Sequence, residues 1–166
     1  MYENKIITEP KWKSWIVQTT TPLFTPDQCN QIIASGRAQK PQTAQVGMNK
    51  PGGGTDTKKR VTTISWIPFQ EMGHMYQDLN SFIQKANENH FGFGDIQVTE
   101  NAQFTEYPEG GFYDWHMDCD VNMEHEPPVR KISMTVLLND PSEFEGGHLE
   151  LMAPGKFAEL KQGHAI

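Results

Sequence analysis

The sequence predicts an α+β fold in which two helices support a set of short strands arranged as a sandwich or barrel. Three observations carry this. The two segments with helical periodicity both lie before residue 93. Short runs rich in Thr, Val, Ile, Phe and Tyr dominate afterwards, and Gly, Pro and Asn turn signals separate those runs. At 166 residues the chain has the size of one domain. Residues 1–166 are therefore read as a single domain, with a helical support region at 25–92 and a strand core at 96–166.

The first helix begins at Thr25-Pro26-Asp27-Gln28, which supplies an N-cap hydroxyl, a proline at the first helical position and a Gln three residues after the cap. Cys29, Ile32 and Ile33 then recur on one face, and Gly36 is expected near the end. Arg60 to Ile67 reads as a strand that stops at Pro68. In the second helix Met72, Met75, Tyr76, Leu79, Phe82, Ile83 and Ala86 form an apolar stripe, expected to face the core and to stop between Asn89 and Gly92. Further strands are expected at Val98 to Tyr107, Phe112 to His116, Ile132 to Leu138 and His148 to Met152.

Composition narrows the function classes. The 14 basic and 21 acidic residues give a net charge of -7, which disfavours nucleic acid as the main partner because phosphate binding needs clustered Lys and Arg. Lys58-Lys59-Arg60 is one short basic cluster, expected to be a solvated loop end. No apolar run approaches the roughly 20 residues that cross a bilayer, and no secretory signal is visible at Met1 to Ile7, so a soluble, cytoplasmic protein without membrane partners is expected. Cys29 and Cys119 define neither a disulfide framework nor a Cys-based zinc site. The glycine-rich segment Gly47 to Asp56 is a loop by composition and the expected position of a substrate lid, or else a plain surface connection.

The pattern with chemical content is His116-Met117-Asp118. In an extended segment residues i and i+2 share a face, so an imidazole and a carboxylate can converge on one ion. With a second His from elsewhere they complete a facial triad that leaves open positions on Fe(II). Alone, this triplet is a weak signal, since it recurs by chance in many chains.

Its surroundings are more specific. The run Gln103 to Asp118, with Tyr107-Pro108-Glu109-Gly110-Gly111 inside it, resembles the metal-binding hairpin of 2-oxoglutarate and Fe(II)-dependent oxygenases, and most nearly their prolyl 4-hydroxylase-like branch with its bacterial and phage members. The resemblance continues through Arg130 to Asn139, Glu145 to Leu151 and Gly163-His164-Ala165-Ile166. Upstream it takes in Phe24 to Cys29 and Arg60. It implies a double-stranded β-helix, or jelly-roll, with the N-terminal helices packed on one sheet. It also implies Fe(II) as metal, 2-oxoglutarate as cosubstrate, and ascorbate as a possible addition.

Carried over residue by residue, the resemblance makes His116 and Asp118 the first two iron ligands and catalytic residues. It places Tyr107, Gln103, Thr135, Leu137 and Leu149 on the 2-oxoglutarate pocket wall. The spacing agrees: Gln103 and Tyr107 are four apart and Thr135 and Leu137 two apart, so each pair shares a strand face. Tyr107 also has a plainer reading, a packing aromatic with its hydroxyl bonded at a sheet edge. Two departures stand out. Some relatives carry Tyr where this chain has Leu137. The distal His ligand and the Arg or Lys that clamps the far carboxylate of 2-oxoglutarate are expected beyond Ile166, so the sequence reads as a domain cut before its last strands. His148 and His164 match no ligand position; His74 is expected to be solvated, His90 to sit at a helix end and His125 in an acidic loop, Asp120 to Pro128. The implied activity is hydroxylation of a C–H bond with dioxygen, on a prolyl residue of a peptide or on a small molecule. The competing class is a non-catalytic jelly-roll binding module.

Overall fold

The computed structural model describes residues 14–44, 54, 56–118, 130–151 and 159–166. Its main elements are α1 (Pro26–Ala38), β1 (Gln42–Thr43), β2 (Arg60–Val61), β3 (Thr63–Ile67), α2 (Gly73–Ala86), β4 (Ala102–Glu106) and β5 (Phe112–Tyr113). Helices and antiparallel sheets mixed in this way fit the α+β expectation. Most of the Gly47 to Asp56 loop, Cys119, His125 and the acidic loop lie outside the described residues, as does Met152.

α1 starts where its cap signal places it. Thr25 Oγ1 accepts from the Gln28 backbone N–H at 3.3 Å, and Gln28 Oε1 accepts from the Thr25 N–H at 2.8 Å, which closes a capping box. Gly36 lies two residues before the end of the helix, as expected, and is buried there. A Cβ there would fall 2.3 Å from Cγ of Phe104, and Ser65 Oγ donates to the Gly36 carbonyl at 2.6 Å. The glycine is therefore the contact point of α1 with the sheet. α2 buries Met75, Tyr76, Leu79 and Ala86, as its stripe predicts. It passes into a π-helical turn, Asn87–Phe91, and stops at Gly92 with φ 69°. The Asn87 amide holds both N–H and C=O of Phe93, fixing the exit.

β1, β3 and β4 form an antiparallel sheet in that order, with Ser65 opposite Phe104 and Ile67 opposite Ala102. Alternation puts Ser65, Ile67 and Phe104 on the helix side and Ile64, Trp66, Gln103 and Thr105 on the other. The helix side closes the core: Phe24, Cys29, Ile32, Ile67, Met75, Tyr76, Leu79 and Phe104 pack together. Tyr76 staples two strands, since its hydroxyl donates to the Ile67 carbonyl at 2.5 Å and accepts from the Ala102 N–H at 2.6 Å.

The expected strand at 60–67 divides between two sheets. β2 leaves the three-stranded sheet and pairs instead with β5, with Arg60 opposite Tyr113 and Val61 opposite Phe112. The expected strand at 132–138 is realised only as a short antiparallel pairing with the last residues. Thr135 and Ile166 exchange both backbone hydrogen bonds at 2.9 Å, and Val136 bridges Ala165. Met134, Val136 and Leu138 point from it onto the core. Residues 148–151 belong to no strand among the described residues. The described residues form one three-stranded and one two-stranded antiparallel sheet, which do not by themselves make up a double-stranded β-helix. The 163–166 segment is tied instead to the N-terminal side: Leu23 N donates to Gly163 O at 2.7 Å, Thr19 N to Ala165 O at 2.9 Å. Among the described residues, no helix is long and apolar enough to cross a membrane.

Candidate functional site

The turn at Pro108 to Gly111, closed by Gly111 N donating to Pro108 O at 2.7 Å, folds β5 back beside β2. One further backbone bond, Asp114 N to Lys59 O at 2.8 Å, carries the pairing past Tyr113 and aims the following residues. His116 then lays its ring on that of Tyr113, with centroids 3.5 Å apart and planes 12° from parallel. Its Nδ1 lies 2.8 Å from the Asp114 carbonyl oxygen. A carbonyl only accepts, so Nδ1 is the protonated nitrogen and donates. In neutral imidazole that leaves a lone pair on Nε2, which stands 3.1 Å from Asp118 Oδ1.

Two donors at right angles on a first-row divalent ion, each about 2.1 Å from it, lie about 3 Å apart. The Nε2–Oδ1 separation suits such a pair, and both side chains keep partial solvent access. His116 and Asp118 meet in this way past the end of β5, in a segment that is not strand. Beside them, Gln103 and Thr105 share the face of β4 away from the helices, with Thr105 Oγ1 3.4 Å from Gln103 Oε1. Tyr107 follows at the open end of the strand, half-exposed. Partial burial of its phenol raises its pKa above the ordinary value; the nearby Arg60 charge opposes that rise and Tyr113 adds to it.

Arg60 corrects the expectation of a solvated loop end. Lys58 and Lys59 are exposed, but Arg60 is only 8% exposed. Its Nε donates to Thr62 Oγ1 at 2.9 Å and its Nη2 to Gln103 Oε1 at 3.0 Å. Its guanidinium carbon lies 4.2 Å from the centre of the Tyr113 ring. Arg60, Tyr113 and His116 thus form a continuous chain of contacts, with Gln103 attached to it. Sequence reasoning did not single out Tyr113 and misjudged Arg60. The available signal was an Arg opening a Thr- and Ile-rich strand, and an aromatic three residues before the histidine.

The remaining wall candidates stand apart. Thr135 and Leu137 lie on the face of their segment opposite Met134, Val136 and Leu138, and Leu149 is exposed. Among the described residues, no hydrogen bond or ring contact joins these three to the group around His116. The other described histidines are placed elsewhere: His74, His90 and His148 are exposed, and His164 turns Nδ1 to the Thr19 carbonyl at 3.1 Å. No third His, Cys, Asp or Glu joins His116 and Asp118 in a metal-binding group among the described residues. A wide cleft of about 560 Å³ between Ser14 to Leu23, Phe82 and His90 contains none of the candidate ligand or pocket-wall residues.

No curated protein and no solved structure matches the chain. The family model of the 2OG-Fe(II) oxygenase superfamily matches residues 102–165, from the start of β4 to Ala165, and so supports an oxidoreductase of dioxygenase type using Fe(II) and 2-oxoglutarate.

Proposed function

We propose that the chain is a 2-oxoglutarate- and Fe(II)-dependent dioxygenase that hydroxylates a C–H bond, with His116 and Asp118 as two of three iron ligands. The observation that carries this is the 3.1 Å approach of His116 Nε2 to Asp118 Oδ1, with Nδ1 held as a donor by the Asp114 carbonyl. That hydrogen bond is the outer-shell device by which a ligating histidine is kept in the right tautomer and orientation. Bound there, Fe(II) and 2-oxoglutarate would supply the oxidative decarboxylation that drives hydroxylation. The protein's part is orientation. Tyr113 fixes the plane of the imidazole by stacking, and the β2–β5 pairing fixes Tyr113.

In this reading Tyr107, Gln103, Thr135, Leu137 and Leu149 line the cosubstrate pocket. A jelly-roll core and the prolyl 4-hydroxylase-like branch belong to the same proposal. So does the substrate: a prolyl residue of a peptide or protein, with a small molecule such as a free amino acid as the next choice.

Anaerobic titration with Fe(II) and 2-oxoglutarate, followed by the metal-to-ligand charge-transfer band, tests the proposal. A band that saturates is expected; no band at any ratio selects a non-catalytic binding module instead. His116→Ala and Asp118→Ala are each expected to weaken Mn(II) binding, read by paramagnetic resonance, by more than the roughly 10–100-fold typical of outer-shell changes. Unchanged affinity in both variants places the ion elsewhere.

A further inference from the structure

β5 ends at Tyr113, and Asp118 lies beyond it in a segment that is not strand. His116 is held there by the Tyr113 ring and the Asp114 carbonyl. Asp118 is held by Arg130. The Arg130 guanidinium donates through Nη1 to the Asp118 backbone carbonyl at 2.9 Å and through Nη2 to Glu100 Oε2 at 2.7 Å. Glu100 stands just before β4, and Arg130 precedes the segment that pairs with the last residues. One side chain thus joins three stretches of the chain, with Asp118 12 residues and Glu100 30 residues away from it in sequence.

Stability does not account for this arrangement. The side chains of the ion pair are 40% and 55% exposed, and exposed pairs contribute little to folding. What a guanidinium adds is direction. Its donors lie in one rigid plane, so a carboxylate that fixes one nitrogen also fixes where the other points. Nη1 thereby sets the carbonyl of Asp118, and the peptide plane that carries it moves as one unit. A set plane limits where the Asp118 carboxylate can reach, and that carboxylate brings Oδ1 to 3.1 Å from His116 Nε2.

We propose that Arg130 is a positioning residue for Asp118 as a metal ligand, with Glu100 as the anchor that aims it. The proposal rests on the oxygenase reading for the metal itself. A lysine could pair with Glu100 as a point charge, but it lacks the fixed fork that serves a carboxylate and a carbonyl together.

The test uses the full chain and Mn(II), read by paramagnetic resonance, with thermal unfolding measured on every variant. Arg130→Ala is expected to weaken Mn(II) binding about tenfold or more, the range for losing a group that orients a ligand. Its unfolding midpoint should move little. A role confined to stability would lower the midpoint and leave the affinity of the folded chain intact. Arg130→Lys should stay weak, and Glu100→Gln should weaken binding in the same direction, since a neutral amide holds Nη2 less firmly. These two variants decide the matter if Arg130→Ala does not fold. Native affinity in folded Arg130→Ala, in Arg130→Lys or in Glu100→Gln overturns the positioning role. If His116→Ala still loses the ion in that case, the oxygenase reading stands without it. No Mn(II) binding by the native chain removes both.

Discussion

Tyr107 and Arg60 share one electrostatic environment, and each reports on the other. Partial burial disfavours the phenolate of Tyr107, while the Arg60 charge favours it. The phenol is expected to ionise above the ordinary tyrosine value of about 10. Removing the opposing charge in Arg60→Gln should move that ionisation higher still. Ultraviolet titration of the phenolate band, with Tyr107→Phe to assign the signal, checks both; a downward shift in Arg60→Gln would contradict the assigned proximity. At neutral pH the hydroxyl therefore stays protonated and can donate to a ligand oxygen. At this scale the sequence was informative about pairs and poor about burial. His116 and Asp118 could be proposed as a pair from their spacing, because an extended segment puts i and i+2 on one face. Arg60 could not, because Lys58-Lys59-Arg60 looks like any solvated basic run until the β2–β5 pairing buries its last member.

Among the elements, the contact of α1 with β4 has the least room to adjust. Replacing Gly36 by alanine gains about 1 kcal/mol of helix propensity in isolation. Here the added methyl meets the Phe104 ring at 2.3 Å, and overpacking of this kind costs about 1–3 kcal/mol. Gly36→Ala is expected to be neutral to destabilising by about 2 kcal/mol in chemical denaturation, where a stabilised variant would show that the helix–sheet spacing is loose. α2 is joined to the sheet through the Tyr76 hydroxyl. Tyr76→Phe leaves the Ala102 N–H without its acceptor and the Ile67 carbonyl without its donor. A loss of about 1–3 kcal/mol is expected, since unmade buried hydrogen bonds cost the desolvation of their partners. Helix starts, stripes and stops were legible because capping, periodicity and the αL stop at Gly92 are local properties of the chain. The role of Gly36 was not, since a glycine near a helix end signals a stop unless a partner is known to press against it.

At the scale of the whole molecule, the three shifted groups that are partly or fully buried among the described residues move in the same direction. Burial raises the Cys29 thiol, the Tyr76 phenol and the Tyr107 phenol, in each case against a smaller opposing contribution. A raised folded-state pKa contributes stability that is fully present below the unfolded value and is lost as pH rises through the folded one. Thermal unfolding midpoints should therefore fall above about pH 9–10, where free thiols and phenols ionise. Tyr76→Phe should show a shallower alkaline decline. An unchanged slope in that variant would assign the decline to other groups.

The sequence by itself determined the mixed class, both helices and the i, i+2 spacing of His116 and Asp118. Each rests on neighbours within about four residues, where backbone geometry dictates which side chains meet. Only the tertiary structure decided that 60–67 divides between two sheets, that Gly36 receives Phe104, and that Arg60 lies buried against Tyr113. Those contacts join residues far apart in the sequence, such as Gly36 with Phe104 and Arg60 with Tyr113. Their existence depends on strand pairing and shared burial, which no local periodicity encodes.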